Sequence, residues 1–277
     1  MISPARALIT GLAFAAAVAL GARPAAAADL DCTAAAPPGC DIDEGSFAGL
    51  LWSTSQVQPA GTGVIDSFLR VQRVGNEEGM NTDLRPLTLD EKTDGNYTRD
   101  ITLGELGQKE IDGELYYELL LDVNEPDSLA QRNISLVGLE LCYSAVGDQY
   151  VPAGGGCDGG GALTTAVYNL DAGGNNQVHL DYDLLGTGSG GTDLFVYVPV
   201  SLFAGLSPNT FFYLWSQFGW LDGGFRSQDG FEEWATRLTG FEPPDPLNPI
   251  PEPASLLLLG AGLGAVGLRL RRARRRG

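Results

Sequence analysis

Nucleophilic catalysis by a serine needs a base, and this chain holds one histidine, His179. It sits in Gln177-Val-His-Leu-Asp-Tyr-Asp183, an alternating stretch that reads as a strand with the imidazole facing the surface. Ser189, in Thr187-Gly-Ser-Gly190, lacks the Gly-x-Ser-x-Gly elbow of the hydrolases. No His-Glu-x-x-His is present, so a zinc peptidase has no ligand pair. A glycosidase needs two carboxylates, but their pairing is spatial, and abundance of acids alone does not point to one. The residues therefore imply no enzyme.

Oxygen ligands offer more. Asp122-Val-Asn-Glu-Pro-Asp127 places Asp122, Asn124 and Asp127 at close spacing. Calcium takes such carboxylate and carbonyl oxygens, so it is the one cofactor the residues suggest. An EF-hand is excluded, because position six from Asp122 is Asp127 and position twelve is Asn133, where glycine and glutamate belong. Asp181 and Asp183 alternate on a second strand, and Asp171 precedes the turn-forming Gly173-Gly-Asn-Asn176. A plain solvated acidic turn is the ordinary alternative. Sugar stacking would need an exposed aromatic. Trp220, in Trp220-Leu-Asp-Gly-Gly224, is the candidate, since most aromatics of a β domain go to its core.

Four cysteines stand at 32, 40, 142 and 157. The pairs Cys32–Cys40 and Cys142–Cys157 are each close in sequence around a Gly- or Pro-rich turn, and both are expected as disulfides. A zinc site is disfavoured, because no Cys-x-x-Cys occurs and His179 is distant.

These residues need elements to hold them. Strand signals recur between Gly, Asn, Asp and Pro. They cover Leu50–Gln56, Phe68–Val74, Ile101–Leu103, Tyr116–Asp122, Ser135–Tyr143, Ala166–Asn169, Gln177–Tyr182, Asp193–Pro199 and Phe211–Phe218. Helical periodicity is scarce. The pattern predicts an all-β chain, a β-sandwich of jelly-roll or immunoglobulin-like type, over residues 29–239. The block Phe231-Glu-Glu-Trp234 reads as its end, with aromatics covering a sheet edge. The glycine runs 154–161 and 186–191 read as loops, since neither has the Lys-Ser/Thr ending of a phosphate loop. Residues 240–250 form a Pro-rich linker, stiff and extended. Within 29–250, nine Lys and Arg face 34 Asp and Glu, a net charge near −25. Such a surface repels nucleic acid and stays soluble.

Both ends carry addresses. Residues 1–28 have a basic Arg6, an apolar stretch from Leu8 to Ala22 and Ala26-Ala27-Ala28, the layout of a signal peptide cut after Ala27 or Ala28. The C-terminus, 251–277, runs Pro251-Glu252-Pro253, then fifteen uncharged residues from Ala254 to Leu268, then six arginines between 269 and 276. At about 1.5 Å per residue the apolar run is a short membrane span, and the arginines hold its end in the cytoplasm. This order resembles the PEP-CTERM sorting signal of exported bacterial proteins. Glu78-Gly-Met-Asn-Thr-Asp83, Tyr117–Glu125, Gly190–Pro199 and Tyr213–Gly219 resemble blocks of uncharacterised exported proteins with the same tail. The resemblance implies export across the inner membrane and a single, transient C-terminal transmembrane helix. It implies cleavage near Pro251-Glu252-Pro253 by an exosortase-type enzyme. It further implies a structural role at the envelope, surface or extracellular matrix, with exopolysaccharide as an accompanying partner.

Overall fold

The strand signal at Phe211–Phe218 is observed as a strand with the same ends. In the computed structural model this segment is strand β14 of a seven-stranded sheet. The structure describes residues 28–33, 46–54, 65–92, 97–126, 128, 131–159, 163–164, 166–182, 194–219, 225–228 and 230–237, and counts of elements refer to these. The first sheet runs in the order β1 (Asp29–Cys32), β12 (Gln177–Asp181), β10 (Asn133–Ser144), β14 and β6 (Glu77–Met80). Short β11 (Tyr168–Asn169) and β7 (Ile101–Thr102) add to β10 and β14.

The second sheet runs β2 (Ser46–Phe47), β3 (Leu50–Ser53), β13 (Leu194–Pro199), β9 (Glu114–Val123), β16 (Glu232–Arg237) and β4 (Ile65–Val71), with β8 (Gln108–Ile111) on β9. Pairing is antiparallel except between β1 and β12. The all-β expectation holds.

Alternation explains how the sheets meet. On β9, Tyr117, Leu119, Leu121 and Val123 join one core with Leu194, Val196 and Val198 of β13. Leu139 and Leu141 of β10 and Phe212, Leu214 and Phe218 of β14 enter the same core from the other sheet. Residues of period two share a face, so two facing sheets enclose these side chains. The opposite parity is not all polar. Leu120, Phe195 and Tyr197 form a second buried cluster on the second sheet's outer side, with the Phe195 and Tyr197 rings stacked at 6.0 Å. Met80, Cys142, Tyr213 and Trp215 do the same on the first sheet.

Two expectations need correcting. The strand beginning near Phe68 does not run to Val74. It stops at Val71, and Val74–Gly75 (β5) pairs instead with Ser227–Gln228 (β15). The Phe231–Trp234 block is not an edge cover. Glu232 to Arg237 lies between β9 and β4 and bonds to both, and Trp234 is fully buried. Neighbouring glutamates gave this strand the look of a surface segment.

Candidate functional site

Strands β10, β12 and β1 are neighbours, and their register sets Ser135 opposite His179 and His179 opposite Asp31. Ser135 Oγ is 2.7 Å from His179 Nδ1, and His179 Nε2 is 3.7 Å from Asp29 Oδ2. Those are the residue types of a nucleophilic triad, a grouping invisible to sequence spacing. Three facts deny it that chemistry. Ser135 is fully buried. Its Oγ accepts the Phe225 N–H at 2.7 Å, leaving the hydroxyl bonded on both sides. The imidazole–Asp29 separation exceeds a hydrogen bond. The set instead clips the edge strand and the Phe225 segment onto the sheet, with the Phe225 ring edge-on to the imidazole at 5.5 Å. His179 is thus not surface-facing as its strand pattern implied: its side chain is only 14 % exposed, because the Phe225 segment crosses over it.

A second polar constellation lies inside the molecule. Glu232 shares the parity of Trp234 on β16, so its side chain turns into the space between the sheets. Glu77 on β6 is the cross-strand partner of the core residue Phe218, so it enters the same space from the other sheet. Both are almost completely buried. Glu77 Oε2 accepts the Arg73 N–H at 2.5 Å. With both groups ionised, Glu77 Oε1 and both carboxylate oxygens of Glu232 have no donor among the described residues, while the two carboxyls lie within hydrogen-bonding reach of each other and the Ser227 hydroxyl within reach of Glu77. Burial, followed by the neighbouring Glu77, pushes the Glu232 carboxyl well above the ordinary range. Burial likewise raises Glu77. Glu125 and Asp122 add negative potential at Glu232, and Asp90 does so at Glu77. Glu125 itself accepts the Gln228 N–H through both oxygens, each at 3.0 Å. Sequence reasoning missed this pair because its members are far apart in the chain. The parity of Glu232 with Trp234 was the one available signal.

Of the expected calcium ligands the structure describes two. Asp122 lies on the outer face of β9 opposite Glu233, while Asn124 follows the strand with its Nδ2 buried and without an acceptor. Asp127 is outside the described residues. Among the described residues no three His, Cys, Asp or Glu side chains converge as a metal-ligand set. Asp181 is held by Arg132 at 2.9 Å. Asp171 closes its own turn by accepting the Asn176 N–H at 2.8 Å.

The Cys142–Cys157 disulfide is formed, joining β10 to the short 3-10 turn Gly156–Gly159. Cys32 is also disulfide-bonded, and Cys40 is outside the described residues. So are Trp220 and the tail with Pro251, Glu252 and Pro253. Trp52, Trp215 and Trp234 are buried, and none of them offers a face to a sugar. No helix among the described residues is long and apolar enough to cross a membrane; the apolar run 254–268 lies beyond them.

Residues 249–275 match the PEP-CTERM protein-sorting motif. The motif implies export and processing at the envelope by exosortase. No curated protein and no solved structure matches the chain.

Proposed function

We propose that the chain is a structural component of the cell envelope or extracellular matrix, delivered by exosortase and built around a non-catalytic β-sandwich of jelly-roll or immunoglobulin-like type. The PEP-CTERM match at residues 249–275 carries this reading. The described residues support it with two facing sheets, a disulfide suited to an oxidising compartment and a Ser135–His179 pair closed to substrate. In this reading the signal peptide 1–28 and the tail 251–277 are both removed. The Pro-rich 240–250 segment presents the Pro-Glu-Pro site to the enzyme, and the acidic domain remains with the exopolysaccharide.

The test is intact-mass measurement on protein recovered from envelope and matrix fractions of hosts with and without exosortase. The expected mature mass lacks both terminal segments only where exosortase is present. A mass retaining Ala254–Gly277 in both hosts would make the tail a permanent anchor. Release from the matrix fraction when exopolysaccharide synthesis is blocked checks the matrix association separately.

A further inference from the structure

We propose that Glu77 and Glu232 form a buried site for a hard divalent cation of the calcium class, set between the two sheets and independent of how the chain is sorted. Glu77 enters from β6 and Glu232 from β16, and both are almost completely shielded from water. As carboxylates, three of their four oxygens have no donor among the described residues, and without a shared proton the two groups meet only as like charges. Buried polar atoms are ordinarily satisfied, and carboxylates left without donors deep in a protein are costly. The charged groups around the pair make that cost larger. The charges of Glu125 and Asp122 act on Glu232, the latter from the outer face of the same sheet, and that of Asp90 acts on Glu77. The Arg73 side chain offers no relief, because its guanidinium points outward to Asp90 at 3.4 Å and is 64 % exposed. Arg73 contributes only its backbone N–H to Glu77.

The chemistry of the donor set selects the ion. All the free atoms are carboxylate oxygens, with no sulfur or imidazole among them, and that excludes the soft and borderline metals. Magnesium demands a tight octahedron of short oxygen contacts, which two carboxylates fixed on facing sheets suit poorly. Calcium accepts carboxylates in one- or two-oxygen mode and completes its shell with backbone carbonyls and water. Two side chains rather than three are therefore compatible with it. A proton is the competing occupant. One proton shared by the pair lowers the repulsion, so calcium binding displaces protons and strengthens as pH rises.

The experiment uses the full-length chain at pH 8, with thermal unfolding followed in chelator, in calcium and in magnesium at matched ionic strength. Calcium at about a hundred times its Kd is expected to raise the midpoint by roughly 5–10 °C, with a smaller shift for magnesium and for calcium at pH 5. Glu232→Gln and Glu77→Gln keep the side-chain volume and are each expected to abolish most of the calcium shift. Terbium supplies a second readout that does not depend on the variants: luminescence excited through Trp234, two residues from Glu232, is expected to appear and to be displaced by calcium. Equal midpoints in chelator and calcium would overturn the proposal. So would a calcium shift that persists undiminished in both Gln variants, which places the ion elsewhere. Pair stabilisation by pH alone, with no terbium signal, would assign the site to a shared proton and likewise overturn it.

Discussion

The indole N–H of Trp234, on one sheet, donates to Ser216 Oγ on the other at 3.1 Å, so a polar bond crosses the apolar interior. Both residues are fully buried. Ser216→Ala leaves the indole N–H without an acceptor and is expected to cost about 1–3 kcal/mol. Trp234→Phe removes the donor but also side-chain volume. The double variant is expected to lose less than the sum of the two, because the orphaned group is gone. Urea midpoints of the four forms check this; strict additivity would show that the bond contributes nothing.

The Cys142–Cys157 disulfide closes a loop with a sequence separation of 15. Chain-entropy arguments give about 3 kcal/mol for a loop of this length. Replacing both cysteines with alanine is expected to lower stability by about that amount, measured by denaturant titration under non-reducing conditions. Peptide mapping of the oxidised protein is expected to find Cys32 joined to Cys40.

Acidity acts on the Glu77–Glu232 pair in a defined direction. Both carboxyls are raised above their ordinary value of 4.5, first by burial, so the folded chain holds protons that the unfolded chain releases. Their stabilising share is whole below about pH 4.5 and is lost as pH rises through the raised folded values. In chelator, the wild-type midpoint is expected to fall between pH 5 and 8. Glu232→Gln removes the titrating group, and its profile is expected to be flatter over that range. A profile that rises with pH in the wild type relative to the variant would contradict the geometry of the pair.

Arg70 is held on three sides. Its guanidinium carbon is 3.4 Å from the Tyr97 ring centroid and 4.3 Å from that of Phe231, and Nε donates to Glu233 Oε2 at 2.6 Å. Glu233 also accepts the Ser67 hydroxyl. A lysine has neither the planar stack nor the fork of donors, so Arg70→Lys is expected to cost about 1–2 kcal/mol despite keeping the charge. Arg70→Ala strands the nearly buried Glu233 and is expected to cost about 3 kcal/mol or more. Thermal unfolding ranks the three proteins, and equal losses for Lys and Ala would assign the effect to the stack and the fork alone.

Strands rich in apolar and aromatic residues were legible. Phe211–Phe218 is observed with the expected ends, and the long strands of Glu114–Val123 and Asn133–Ser144 extend theirs by one or two residues. The strands that escaped notice are those whose charges hide their position. Glu77-Glu-Gly-Met80 and Glu232–Arg237 carry acids where a strand pattern asks for apolar residues, and Asp29–Cys32 alternates only across four residues. The candidate site escaped for the same reason. A glutamate turned into a core reads in sequence as a solvent residue, and only the pairing of strands reveals which way it faces. Trp234 shows the converse: preceded by two glutamates it reads as an edge cover, yet it is fully buried.

The placement of β16 orders events during secretion. The second sheet has a gap between β9 and β4 until residues 232–237 arrive to fill it. A chain leaving the cytoplasm N-terminus first must therefore deliver nearly all of its folding domain before that sheet closes. Only residues 238–253 then remain ahead of the apolar run that begins at Ala254. A chain cut or stalled before residue 232 lacks the strand that bridges β9 and β4 and leaves those two edges unpaired.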